Sequence, residues 1–162
     1  MAIFVLTGEI GTGKTTCLYN EIQNRLGIGG FLSPVKDNKR QFYLIRKRLY
    51  IPMKAKLDVL GSTLSVGRYR FDLNAFKKAK DQFSEDWNGG QKMVIMDEYG
   101  PLEFKNQGLL PELNTCLLEA QSSKEHHALV VVRSLLLDAF LNLYITDKVL
   151  YKEDLIKFFH EY

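Results

Sequence analysis

The segment Gly8-Glu9-Ile10-Gly11-Thr12-Gly13-Lys14-Thr15 constrains this chain more than any other. It satisfies the pattern G-x-x-x-x-G-K-[ST] in full, and the chemistry of that pattern is phosphate binding. Before it, Ala2-Ile3-Phe4-Val5-Leu6 is a short apolar run suited to a buried parallel strand. After it, Leu18, Ile22 and Leu26 recur every four residues, which predicts a helix over Thr16–Leu26 with one apolar face. Strand, glycine loop and helix together form the context the pattern needs. A glycine turn matching by coincidence would lack both neighbours.

Charge explains the residue types. A triphosphate is strongly anionic and rich in acceptor oxygens. Gly8, Gly11 and Gly13 let the backbone turn tightly and come close to it. The loop N–H groups then form an anion nest, and the helix starting near Gly13 adds its positive dipole end. Lys14 is expected to reach the β- and γ-phosphates as a point charge, and the Thr15 hydroxyl to ligate Mg²⁺. The expected nucleotide-binding set is Gly8, Glu9, Ile10, Gly11, Thr12, Gly13, Lys14, Thr15 and Thr16.

Composition narrows the setting. The 162 residues suggest one domain over 1–162, and 46% hydrophobic residues suffice for a sizeable core. Lys and Arg number 22 against 19 Asp and Glu, a net charge of +3 that does not by itself indicate nucleic acid. Cys17 and Cys116 both fall in predicted helices without metal-like spacing, so buried thiols in a reducing cytoplasm are expected. No apolar stretch approaches transmembrane length, and the first apolar run feeds directly into the glycine loop, as a strand does and a signal peptide does not. A monomer is the working expectation.

Gly27 suits the C-terminus of the first helix, and Phe31-Leu32 a second strand ended by Pro34. Lys36–Arg40 is a charged turn. Residues 41–46 and 47–52 read as extended strands, a hairpin within a basic segment at about 36–57. Its charge is expected to be a solvated face, dispensable for hydrolysis. A nucleic-acid or acidic-partner patch is the alternative, because aromatics alternate with Lys and Arg. Asp72 or Asn74 is the expected N-cap of a helix through Phe83, stopped by Asn88-Gly89-Gly90.

The second functional stretch is Met93-Val94-Ile95-Met96-Asp97-Glu98. An acid at the C-terminal end of a buried parallel strand lies on the ligand edge of the sheet. Asp97 is expected to hold Mg²⁺, and Glu98 to orient or deprotonate an attacking water. Glu103 is either a second acid at the site or a solvated loop acid. Leu109–Ser123 reads as a helix with Pro111 in its first turn. Ala128–Val132 reads as a buried strand that places Arg133 on the same ligand edge. There Arg133 could stabilise the γ-phosphate or pair with a carboxylate. Ser134 is expected to cap a helix to Leu143, followed by a strand at Lys148–Tyr151 and a helix over Glu153–Tyr162.

Asp97-Glu98-Tyr99-Gly100-Pro101-Leu102-Glu103 resembles the D-E-[IV]-G-x-[ML]-E signature of the THEP1-type nucleoside-triphosphatases, with Tyr99 in place of an aliphatic residue. Gly29-Gly30-Phe31-Leu32-Ser33-Pro34 and Gly67-Arg68-Tyr69-Arg70-Phe71-Asp72 are similar to two further stretches of that family. The segment 36–57 lacks the family's Arg-x-Gly-Phe pattern. The resemblance implies a small P-loop enzyme hydrolysing ATP, GTP and related nucleotides.

The element order implies an α/β, three-layer P-loop NTPase domain with a mainly parallel central sheet. The adjacent Asp97-Glu98 pair resembles the RecA-like division of that fold. The expected catalytic residues are Lys14, Glu98 and Arg133, and the expected metal ligands are Thr15 and Asp97. Alternatives from other classes are a small-molecule or nucleotide kinase and a nucleotide-gated nucleic-acid-binding module.

Overall fold

Alternation along the strands sets the layering. In Ile3–Leu6 (β1), Ile3 and Val5 pack into one hydrophobic layer, Phe4 and Leu6 into the other. His127–Val132 (β9) repeats this, with Ala128, Val130 and Val132 on the first side and Leu129 and Val131 on the second. Such strands are buried on both faces, as a parallel sheet between helices requires. The first layer is closed by Leu73–Asn88 (α2), Glu112–Ala120 (α4) and Leu137–Leu143 (α5), and the second by Lys14–Ile22 (α1) and Leu155–Glu161 (α6). The computed structural model describes residues 3–55, 63–66, 69–110, 112–123 and 125–161.

The remaining strands are Ile28–Leu32 (β2), Val35–Lys36 (β3), Lys39–Leu44 (β4), Leu49–Pro52 (β5), Thr63–Val66 (β6), Tyr69–Asp72 (β7), Met93–Tyr99 (β8) and Lys148–Leu150 (β10). The short helix Pro101–Phe104 is α3. The order β10-β1-β9-β8-β2 is parallel throughout, and β4 adds to β2 antiparallel. Strand β9 therefore stands between the strand that feeds the glycine loop and the strand that carries Asp97-Glu98 near its C-terminal end. The expected three-layer, mainly parallel fold is what the chain adopts.

Two glycines and an acid lock α2 to the sheet. The Asp86 carboxylate, fully buried, accepts from the Gly30 N–H at 2.7 Å, from Gln82 at 2.7 Å and from Arg46 at 3.0 Å. A Cβ on Gly29 would stand 2.5 Å from the Asp86 Oδ2, and one on Gly30 would stand 2.1 Å from the Ile95 carbonyl oxygen. Only side-chain-free backbone fits between α2 and β8 there.

Several boundaries differ from expectation. Helix α1 ends at Ile22, four residues early, and Leu26 lies beyond it, 96% exposed. Its four-residue spacing carried no burial, since α1 needs only Leu18 and Ile22 against β1 and α6. Tyr69–Asp72, ahead of α2 and with no strand expected there, is a strand paired with β6. Asp72 does cap α2, accepting from the Asn74 N–H at 2.8 Å. Ser134 caps no helix; it opens a 3-10 turn to Leu136, and α5 starts behind that turn without a side-chain cap. The expectations for Ala2, Lys56 and Leu57, Gly67 and Arg68, and Pro111 lie outside the described residues.

Candidate active site

The glycine loop hangs between three strand ends. Thr7, buried, donates its N–H to the Leu150 carbonyl at 2.9 Å and its hydroxyl to the Val132 carbonyl at 3.0 Å. The loop thus leaves the sheet from a point fixed to β10 and β9. Gly11 and Gly13 hold φ of 80° and 82°, which suits residues without a Cβ. Gly13 is the N-cap of α1, with no side-chain cap bond and no acidic residue in the first turn. The helix's first N–H groups and dipole therefore serve the loop side alone. Lys14 Nζ donates to the carbonyls of Gly8 at 2.8 Å and Glu9 at 2.6 Å, and the Thr12 hydroxyl donates to Glu9 at 2.9 Å. Burial lowers the Lys14 pKa, opposed by the charges of Asp97 and Glu9.

Strand β8 brings two consecutive acids to this loop. Its register against β9 runs Met96 to Val130 and then Tyr99 to Val132, so β8 carries one extra residue, a β-bulge, at Asp97-Glu98. In a regular strand Glu98 would follow Met96 towards the α2 layer, because side chains alternate. The bulge resets the alternation. Tyr99 takes the α2-side position instead, 4.8 Å edge-to-face from Phe140, and both acids face the pocket. The aromatic residue at the family's aliphatic position is therefore a core residue.

Asp97 is 3% exposed. Its Oδ2 accepts from the Ser33 N–H at 2.8 Å, and the Ser33 hydroxyl donates to its carbonyl at 2.6 Å. Burial pushes its carboxyl up to about 6, against hydrogen bonds from Ser33 and the Thr15 hydroxyl. Glu98 is held by two arginines: Oε1 accepts from Arg133 Nη2 at 2.6 Å and Oε2 from Arg40 Nη1 at 2.9 Å.

One pocket of about 470 Å³ is lined by Gly8, Ile10 to Thr16, Asp97, Glu98 and Arg133. Of the residues anticipated from sequence, Glu9 alone does not line it; its carbonyl supports Lys14 and Thr12 from behind. Ser33 and Arg40 also line it and had been given no role. Ser33 sits in the stretch similar to the THEP1-type family, which was its only signal. Arg40 had none: it belongs to the basic segment expected to be a solvated face, and for this residue that expectation is corrected. The tight turn at Asp37-Asn38, with φ of 50° and 57°, folds β4 back on β3 and points Arg40 at the pocket.

Glu103 is neither a pocket acid nor a solvated one. It is buried, with Oε2 accepting from the Gly100 N–H at 2.9 Å and Oε1 from the Leu109 N–H at 3.1 Å. It caps α3 and ties down the loop that follows. Burial pushes its pKa up to about 7.

No cluster of three or more His, Cys, Asp or Glu able to hold a metal occurs among the described residues. What the pocket offers a cation is the buried Asp97 carboxylate and the Thr15 hydroxyl. Such a sparse oxygen set fits Mg²⁺, which takes most of its shell from phosphates and water.

The fold is shared with solved structures. The crystal structure of THEP1 from the hyperthermophile Aquifex aeolicus superposes with a TM-score of 0.69 at 15% identity, covering 98% of this chain and 95% of that one. The solution structure of a human cancer-related nucleoside triphosphatase gives 0.65 at 18% identity, covering 92% of this chain and 88% of that one. The class defined is thus a three-layer α/β fold with a mainly parallel central sheet. The NTPase family model matches residues 3–149, and the chain belongs to that family of NTP-hydrolysing enzymes. None of the curated protein sequences compared matches the chain.

Proposed function

We propose that this NTPase is Mg²⁺-dependent and converts ATP- or GTP-type nucleotides to the diphosphate and inorganic phosphate. The observation that supports this most is the gathering of Lys14, Thr15, Asp97, Glu98 and Arg133 around one pocket. The loop amides and the α1 N-terminus receive the phosphates. Lys14 exchanges its bonds to the Gly8 and Glu9 carbonyls for β- and γ-phosphate oxygens. Thr15 and Asp97 are the residues that would hold Mg²⁺, which neutralises charge on the phosphate oxygens when bound. Glu98 orients a water and accepts its proton as the water oxygen bonds to the γ-phosphorus. The bond from the γ-phosphorus to the β,γ-bridging oxygen breaks, and its electron pair leaves with the diphosphate. Arg133 stabilises the charge on the transferring group.

No helix of the described residues is long and apolar enough to cross a membrane, and the free thiols of Cys17 and Cys116 suit a cytoplasmic setting. The test is a panel of nucleoside triphosphates scored for phosphate release with and without Mg²⁺ and with no acceptor added. Release that needs an added acceptor would make the enzyme a kinase.

A further inference from the structure

We propose that Arg40 reads the γ-phosphate: with Arg133 it clamps Glu98, and a triphosphate draws both guanidinium groups off the carboxylate. This rests on the reading of the pocket as the triphosphate site. Each oxygen of Glu98 faces a different arginine, at 2.6 Å and 2.9 Å, so the group placed to handle water is held by cations from two sides. The two arginines come from opposite directions. Arg133 follows β9, whereas Arg40 reaches over from the β3–β4 hairpin beyond β2.

The hairpin makes Arg40 a fixed arm. Its backbone pairs with Val35, its neighbour Gln41 donates to the Pro34 carbonyl at 3.0 Å, and the Met53 N–H donates to the Arg40 carbonyl at 3.1 Å. Pro34 and Val35 line the same pocket. Arg40 therefore meets the nucleotide end nearest Asp97 and Glu98, which is the γ end.

The exchange follows from charge. A guanidinium binds a phosphoryl group through two parallel bonds, and a γ-phosphate offers more negative charge and more oxygens than one carboxylate. A diphosphate ends before the clamp. Arg40 then stays on Glu98, and the site does not tighten around product. Arg40 thus contributes to binding triphosphate over diphosphate, and to timing, since Glu98 is turned to water only when a γ-phosphate has taken the arginines.

The test is titration of the wild type, Arg40→Ala and Arg40→Lys with a non-hydrolysable triphosphate analogue and with the diphosphate. Removing one charge-assisted contact should weaken triphosphate binding by about tenfold to a hundredfold, with diphosphate binding within about twofold of wild type. Arg40→Lys should recover part of the preference. Lys47→Ala, which removes only the outer pair to Glu85, should leave the preference intact. Equal loss of both nucleotides in Arg40→Ala, or an unchanged preference, would overturn the clamp while leaving the phosphate loop assignment standing. A wild type that binds neither nucleotide would overturn both.

Discussion

Ser33 holds Asp97 at two points, donating its N–H to the carboxylate at 2.8 Å and its hydroxyl to the Asp97 carbonyl at 2.6 Å. Ser33, just past the end of β2, thereby aims an acid near the end of β8. Ser33→Ala keeps the first bond and loses the second, leaving a buried carbonyl short of a donor. We expect a stability loss of about 1–3 kcal/mol and a fall in Mg²⁺ affinity of about tenfold. Thermal unfolding and a Mg²⁺ titration of turnover read the two effects separately.

Asp97→Asn removes the buried carboxylate charge beside the phosphate loop. Turnover should then need roughly tenfold or more Mg²⁺ to recover. Wild-type activity at limiting Mg²⁺ would assign the metal to another acid.

Lys14→Ala deletes the ammonium that spans the loop between Gly8 and Glu9. Triphosphate affinity should fall by about a hundredfold, the scale of a charge-assisted contact to phosphate. Isothermal titration showing wild-type affinity would remove the loop from the binding site.

Glu98→Gln keeps the length of the side chain and removes its charge and basicity. General-base contributions are about 10²–10⁴-fold, so kcat should drop by that factor with little change in KM. Hydrolysis within about threefold of wild type would rule Glu98 out as the base.

Glu103 makes stability depend on pH. Its carboxyl is raised by burial from 4.5 to about 7 in the folded chain, so the native state holds a proton that the unfolded chain releases. Its contribution is fully present below about pH 4.5 and is lost as pH rises to about 7, an effect on the order of 3 kcal/mol. Denaturant unfolding from pH 4.5 to 8 should show wild type losing stability relative to Glu103→Gln. The variant loses one of the bonds from Gly100 and Leu109, so it starts lower and the gap narrows upward. Parallel pH profiles would refute the assignment.

Local chemistry made the glycine loop, Lys14, Thr15, Asp97 and the order of the central elements legible in the sequence. A phosphate cradle is built from contiguous backbone, and a buried strand from contiguous apolar residues. The direction of Glu98 was not legible. Alternation alone turns it away from Asp97, and the bulge that turns it back is a register between β8 and β9, residues far apart in the chain. Arg40 looked like one cation among many because its charge says nothing about its partner; the β3–β4 turn and the position of β4 beside β2 supply Glu98. Leu26 kept the helical spacing and is exposed, since periodicity records what could be buried and the packing partner decides what is. The sequence by itself determined the phosphate chemistry and the layered fold. Tertiary structure decided which charges meet across the pocket, because a charge pair depends on distance in space and the pattern of a chain records only distance along it.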